Sequence, residues 1–74
     1  MDDSDKIRIE FAKRVRLMRA KKSVSQEDLA ALMNTDTRQI GRIENAEVFV
    51  NLKTVYRIAK ALNISHKELF DFEL

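Results

Sequence analysis

The sequence predicts an all-α domain of five helices. Three observations carry this expectation. The 74 residues contain no proline and a single glycine, Gly41, so hairpins and long loops have little to work with. Alanine, leucine, lysine, arginine and glutamate dominate, and these residues lose least on entering a helix. Apolar residues recur at three- and four-residue intervals in five separate groups.

The first group, Ile7, Phe11, Val15 and Met18, predicts a helix over about 4–21. Leu29, Ala30, Leu32 and Met33 mark a short second helix, which Ser25 caps with Asp28 three residues on, approximating a capping box. Asn34 follows, where the chain must leave the helix through a left-handed residue, a role asparagine fills best after glycine. Ile40 and Ile43 mark a third helix, capped by Asp36 with Gln39 in the corresponding position. Leu52, Val55, Ile58, Ala59 and Leu62 mark a fourth, capped by Asn51, and Leu69 and Phe70 a fifth, opened by Ser65 with Glu68.

Composition narrows the function. A chain this short makes one domain, expected to span 1–74, and it buries little apolar surface. With no cysteine it has neither a disulfide framework nor a cysteine zinc site. One histidine, His66, without clustered carboxylates makes neither a metal site nor a catalytic triad. No glycine-rich phosphate loop is present, so neither enzyme nor cofactor is expected. No apolar run approaches a membrane span, and the acidic start Asp2-Asp3-Ser4-Asp5 is unlike a signal peptide, which makes the cytoplasm the expected compartment. Charge is uneven. Residues 6–57 hold twelve basic and six acidic side chains, a net +6, against −4 for the remainder and +2 overall. A basic body with acidic ends suits a polyanion, although a solvated helical surface gives the same count.

Residues 25–45 are the informative segment. They read as two short helices joined by a turn of three or four residues. Leu29, Ala30 and Met33 face inward from one helix, Ile40 and Ile43 from the other. Ala30 is small where the helices would cross near a right angle. That is the geometry of a DNA-binding helix-turn-helix.

At this point the sequence resembles the phage Cro and repressor (Xre-like) helix-turn-helix family. The resemblance rests on Val15-Arg16-Leu17-Met18-Arg19, Ser25-Gln26-Glu27-Asp28-Leu29-Ala30, Ile40-Gly41-Arg42-Ile43-Glu44, Leu52-Lys53-Thr54-Val55, Ala59-Lys60-Ala61-Leu62 and Ser65-His66-Lys67-Glu68-Leu69. It implies the five-helix lambda-repressor-like fold. Asn34 and Ala46 stand where the family usually has glycine, and Val48-Phe49-Val50 replaces a polar, proline-bearing loop.

The candidate site follows residue by residue. Arg38 and Arg42 share one face of the third helix, opposite Ile40 and Ile43, where arginine forks suit guanine O6 and N7. Two solvated arginines are the plain alternative. Thr37, in the first turn, offers a methyl to a thymine methyl or is merely tolerated there. Gly41 costs about 1 kcal/mol mid-helix against alanine; either it lets the helix approach the bases closely, or it serves helix packing or reflects drift. Gln39 either returns a bond to the Asp36 cap or reaches DNA. The resemblance makes Gln26 a phosphate contact at the start of the second helix, and matches Asn45 and Lys53 to phosphate-contacting positions. Arg14, Lys21 and Lys22 are weaker phosphate candidates. Arg19 and Glu44 match a family ion pair bridging the first and third helices.

The expected function is sequence-specific binding of double-stranded DNA to regulate transcription, as a stand-alone repressor or controller. A protein-interaction module or antitoxin on the same fold is the rival. No small-molecule ligand is evident. One helix-turn-helix touches too few bases, so a homodimer on two-fold related half-sites is expected. Its interface is expected to use Val48, Phe49 and Val50 with Phe70, Phe72 and Leu74, the last three alternating with Asp71 and Glu73 like a strand; a tail folded back on its own core is the plain alternative.

Overall fold

The computed structural model describes residues 2–74. It contains α1 (Asp3–Lys21), α2 (Gln26–Leu32), α3 (Thr37–Glu44), α4 (Leu52–Leu62) and α5 (His66–Leu69), with no strand among the described residues. α2 packs on α3 and α4, while α1 lies across α3, α4 and α5.

Each helix starts on a side-chain oxygen. Asp2 accepts from the N–H groups of Ser4 and Asp5. Ser25 and Asp28 form a full capping box, Asp36 accepts from Gln39 N–H at 2.9 Å, and Asn51 accepts from Thr54 N–H at 2.8 Å. The fifth start differs from expectation. The Ser65 hydroxyl accepts from Lys67 N–H at 3.2 Å, and Glu68 N–H goes instead to the Ser65 carbonyl at 3.0 Å.

The first four helices end in one motif without glycine. Ser23, Asn34, Ala46 and Asn63 sit in the left-handed region, with φ between 54° and 59°. In each case the next N–H reaches back across the turn, as Val24 to Arg19, Thr35 to Ala30, Glu47 to Arg42 and Ile64 to Ala59, and the left-handed residue closes an inner bond. These are Schellman turns, which satisfy carbonyls that a helix end leaves orphaned. Val24 and Ile64, one residue past the turn, rest against the core.

Arginines tie down three of the same turns, two of them from distant parts of the chain. Arg8 donates to the Ala46 carbonyl, Arg19 to the Val24 carbonyl, and Arg57 to the Met33 carbonyl. Arg14 Nε donates to the Glu68 carbonyl at 2.7 Å, at the end of α5. Charged donors make the stronger class of hydrogen bond, and carbonyls at helix ends are their natural acceptors. Arg14, read from sequence as a phosphate candidate, is thus engaged within the fold.

The core gathers Phe11, Val15, Met18, Leu29, Ala30, Met33, Ile40, Ile43, Val55, Ile58, Ala59, Leu62 and Leu69. Ala30, at the α2–α3 crossing, is fully enclosed. Two apolar positions point outward instead, Leu32 at 61 % and Leu52 at 84 % exposed. The strand-like tail is corrected. Phe70 lies on Phe11 with ring centroids 5.3 Å apart, Phe72 lies on Phe70 at 6.2 Å, and Phe72 N–H turns back to the Phe70 carbonyl. The alternation of Phe70, Phe72 and Leu74 therefore reflects a folded-back turn, in which Phe70 covers Phe11 in the middle of α1.

Candidate nucleic-acid interface

α3 divides cleanly into two faces. Ile40, Ile43 and Glu44 point into the molecule, and Thr37, Arg38, Gln39, Arg42 and Asn45 are exposed. Gln26, Thr37, Arg38, Gly41, Arg42, Asn45 and Glu47 line one shallow, open surface groove. Six of these were singled out from sequence; Glu47 was not, since nothing in its spacing distinguishes it from any solvated acid. The side chains of Arg38 and Arg42, one turn apart, make no hydrogen bond or ion pair among the described residues.

Gly41 sits at the centre of this face. A Cβ built on it would meet no heavy atom within 4 Å, so internal packing does not require the glycine. Its φ is negative, so backbone conformation does not require it either. Of the readings open from sequence, the packing one falls away.

Gln39 and Lys53 stand apart from the groove. Gln39 turns toward a second cavity between α3, the 48–51 loop and α4, lined also by Arg42, Asn51, Thr54 and Arg57. Its side chain does not return a bond to Asp36, so the reciprocal cap expected at this end is not formed. Lys53 is exposed in the first turn of α4. Asn45 Nδ2 lies 3.5 Å from Glu47 Oε2, at the limit of a hydrogen bond.

Beneath the groove lies a buried acid. Glu44 is 2 % exposed and receives the Arg19 fork, Nε at 2.7 Å and Nη2 at 3.1 Å. The hydrogen bonds to Glu44, with its charge in support, outweigh desolvation and hold the Arg19 guanidinium above its ordinary pKa. A third donor completes the carboxylate: Gln26 Nε2, at 3.0 Å from Oε1. This bond was not foreseen, because a glutamine and a glutamate eighteen residues apart carry no sequence signal of contact.

A second surface is apolar. Ile7, Phe11, Val48, Phe49, Val50, Leu52, Val55 and Phe70 line a groove of about 210 Å³. Val48 and Val50 rest partly on the core, while Phe49 stays 62 % exposed with the Arg8 guanidinium 5.3 Å above its ring. Leu74 lies away from this groove, beside Lys6, Ile9, Glu10 and Lys13 on α1.

Comparison with known proteins agrees with this architecture. A helix-turn-helix family model, HTH_3, matches residues 15–69. The control protein C.BamHI of Bacillus amyloliquefaciens is 37 % identical over 70 residues, spanning 93 % of this chain and 86 % of its own. The crystal structure of the restriction–modification controller protein C.AhdI from Aeromonas hydrophila superposes with a TM-score of 0.87 at 35 % identity, over 93 % of this chain and all of that one. A hypothetical transcription factor from Neisseria superposes at 0.81 with 29 % identity, over 93 % of this chain and 78 % of its own. With its α2–turn–α3 unit, inward Ile40 and Ile43 and outward arginines, the chain belongs to the HTH_3 helix-turn-helix family.

Proposed function

We propose that the chain is a transcription regulator of the restriction–modification controller type, binding double-stranded DNA as a homodimer in the cytoplasm. Its role is binding and not catalysis. The observation that carries the reading is the outer face of α3, where Thr37, Arg38, Gly41 and Arg42 share one open groove and no bond among the described residues occupies the two arginines. Arg38 and Arg42 fork onto guanine edges, Thr37 meets a thymine methyl, and Gly41 admits the helix backbone close to the bases. Gln26, Gln39, Asn45 and Lys53 hold phosphates on either side. Of the roles open to such a domain, similarity to two controller proteins across nearly the whole chain favours that one.

The apolar groove supports the dimer. Phe49, Leu52 and Phe70 leave apolar surface exposed on one side of the domain, a mark of an association site. Two such copies bind two-fold related half-sites one DNA turn, about 34 Å, apart.

Fluorescence anisotropy on the DNA upstream of the protein's own gene tests the reading. With six cationic side chains in the interface per dimer, Arg38, Arg42 and Lys53 from each protomer, log K falls against log salt with a slope of about −5. Arg38→Ala costs about 1–3 kcal/mol on the cognate site and relaxes one base step per half-site, while Lys53→Ala weakens all sequences alike. A slope shallower than about −2, or base preference that follows Lys53 and not Arg38, refutes the assignment.

A further inference from the structure

We propose that Glu44 is a positioning residue for DNA binding: through its bond to Gln26 it fixes which end of that amide faces the phosphate backbone. The proposal rests on the reading of Gln26 as a phosphate contact and adds what orients it.

The argument begins with the chemistry of the carboxylate. Ionised, Glu44 is an acceptor only, and Arg19 donates to both of its oxygens. The remaining capacity on Oε1 must take a donor, so it selects the NH₂ end of the Gln26 amide and excludes the carbonyl end. One N–H of Gln26 is thereby committed inward at 3.0 Å, and its second N–H, on a side chain that lines the groove, has no other partner among the described residues. A phosphate accepts hydrogen bonds and repels a carbonyl lone pair, so the same amide turned by half a rotation would oppose binding. A glutamine free in solvent samples both orientations. Here the charge of a residue that never touches DNA removes one of them. Glu44 is suited to this because it is anchored twice, by the Arg19 fork and by its own burial at the end of the helix that bears Arg38 and Arg42. The ion pair and the DNA-facing surface are thus joined by a single hydrogen bond, and Glu44 has a role beyond holding α1 to α3.

Glu44→Gln tests this, since it keeps the shape and places an NH₂ group where a carboxylate oxygen stood. Either way round, the residue-44 amide sets an N–H against an Arg19 donor, so the charged acceptor that holds Gln26 in one orientation is lost. Gln26→Ala, Glu44→Gln and the double variant are compared with the unaltered protein by anisotropy across a salt series, each first shown to be folded by circular dichroism. Gln26→Ala is expected to lose one neutral hydrogen bond to phosphate per half-site and to weaken binding by about tenfold at fixed salt concentration, and Glu44→Gln to weaken it in the same direction, with little change in salt slope because a neutral amide displaces no counterion. The double variant is expected to lose no more than Gln26→Ala alone. A folded Glu44→Gln variant with the unaltered affinity, beside a Gln26→Ala variant whose affinity falls, overturns the positioning role and leaves the phosphate contact standing. A Gln26→Ala variant with the unaltered affinity overturns both. A Glu44→Gln variant that melts lower but binds equally well when folded shows a structural contribution alone and overturns the positioning role. NMR of the unaltered protein gives a second reading that does not depend on any variant folding. One side-chain amide proton of Gln26 is expected to be shifted downfield and protected from exchange, with a single side-chain rotamer; averaged rotamers and two equivalent exposed protons overturn the proposal.

Discussion

Replacing Gly41 with alanine separates the needs of the fold from those of the interface. Gly41 lies in the interior of α3, where its carbonyl accepts from Asn45 N–H at 2.9 Å, and it has ordinary negative φ. A methyl group there touches nothing within 4 Å, so no clash offsets the gain in helix propensity. That gain is about 1 kcal/mol. For a domain of this length it raises the melting temperature by about 4–8 °C, measured by circular dichroism without DNA at fixed protein and salt concentration. The same methyl lies between Arg38 and Arg42 on the groove-lining face. Against base edges in van der Waals contact it acts as overpacking, at about 1–3 kcal/mol, which anisotropy reads as at least about a fivefold loss of affinity. A variant that melts higher and binds equally well removes Gly41 from the interface. A variant that melts lower shows that the helix needs the glycine after all.

Three further outcomes are expected. Glu44→Ala leaves the Arg19 guanidinium without its carboxylate partner and destabilises the domain by about 3 kcal/mol; an unchanged denaturation midpoint would show the pair to be without net effect. Ala46→Gly relieves a left-handed residue at φ 59° and stabilises by about 1 kcal/mol, with a higher melting temperature as the readout and an unchanged one as the refutation. Leu52→Glu, at a side chain 84 % exposed, leaves the circular dichroism spectrum unaltered but shifts sedimentation at tens of micromolar from dimer to monomer; equal dimerisation moves the interface elsewhere.

What the sequence disclosed was set by how local the physics is. The five helices, the caps at Ser25, Asp36 and Asn51 and the left-handed Asn34 were legible, because each depends on a residue and its near neighbours. The arginine bonds of Arg8, Arg14 and Arg57 were not. Their acceptors are backbone carbonyls 38, 54 and 24 residues away, and a carbonyl leaves no mark in the sequence. Ser23 and Ala46 were illegible as left-handed residues for a related reason: neither favours that region by itself, and the Schellman bonds with the packing behind them impose it. At the site, the grouping of Thr37, Arg38, Gly41 and Arg42 follows from helical period alone. The bond from Gln26 to Glu44 depends on how α2 crosses α3, and periodicity does not specify that crossing.

The two-faced character of α3 bears on how such a regulator acquires a new target. Ile40, Ile43 and Glu44 hold the helix in place, and none of them is on the outward side. Exposed substitutions away from caps and cores usually alter stability by less than about 0.5 kcal/mol. On the proposed assignment of base contact to positions 37, 38 and 42, these are free to drift among residues of different base preference while the domain stays equally well folded. Divergence toward a different operator needs no compensating change in the scaffold, so two copies of this gene in one cell can become mutually indifferent through a few substitutions on a single exposed helix face.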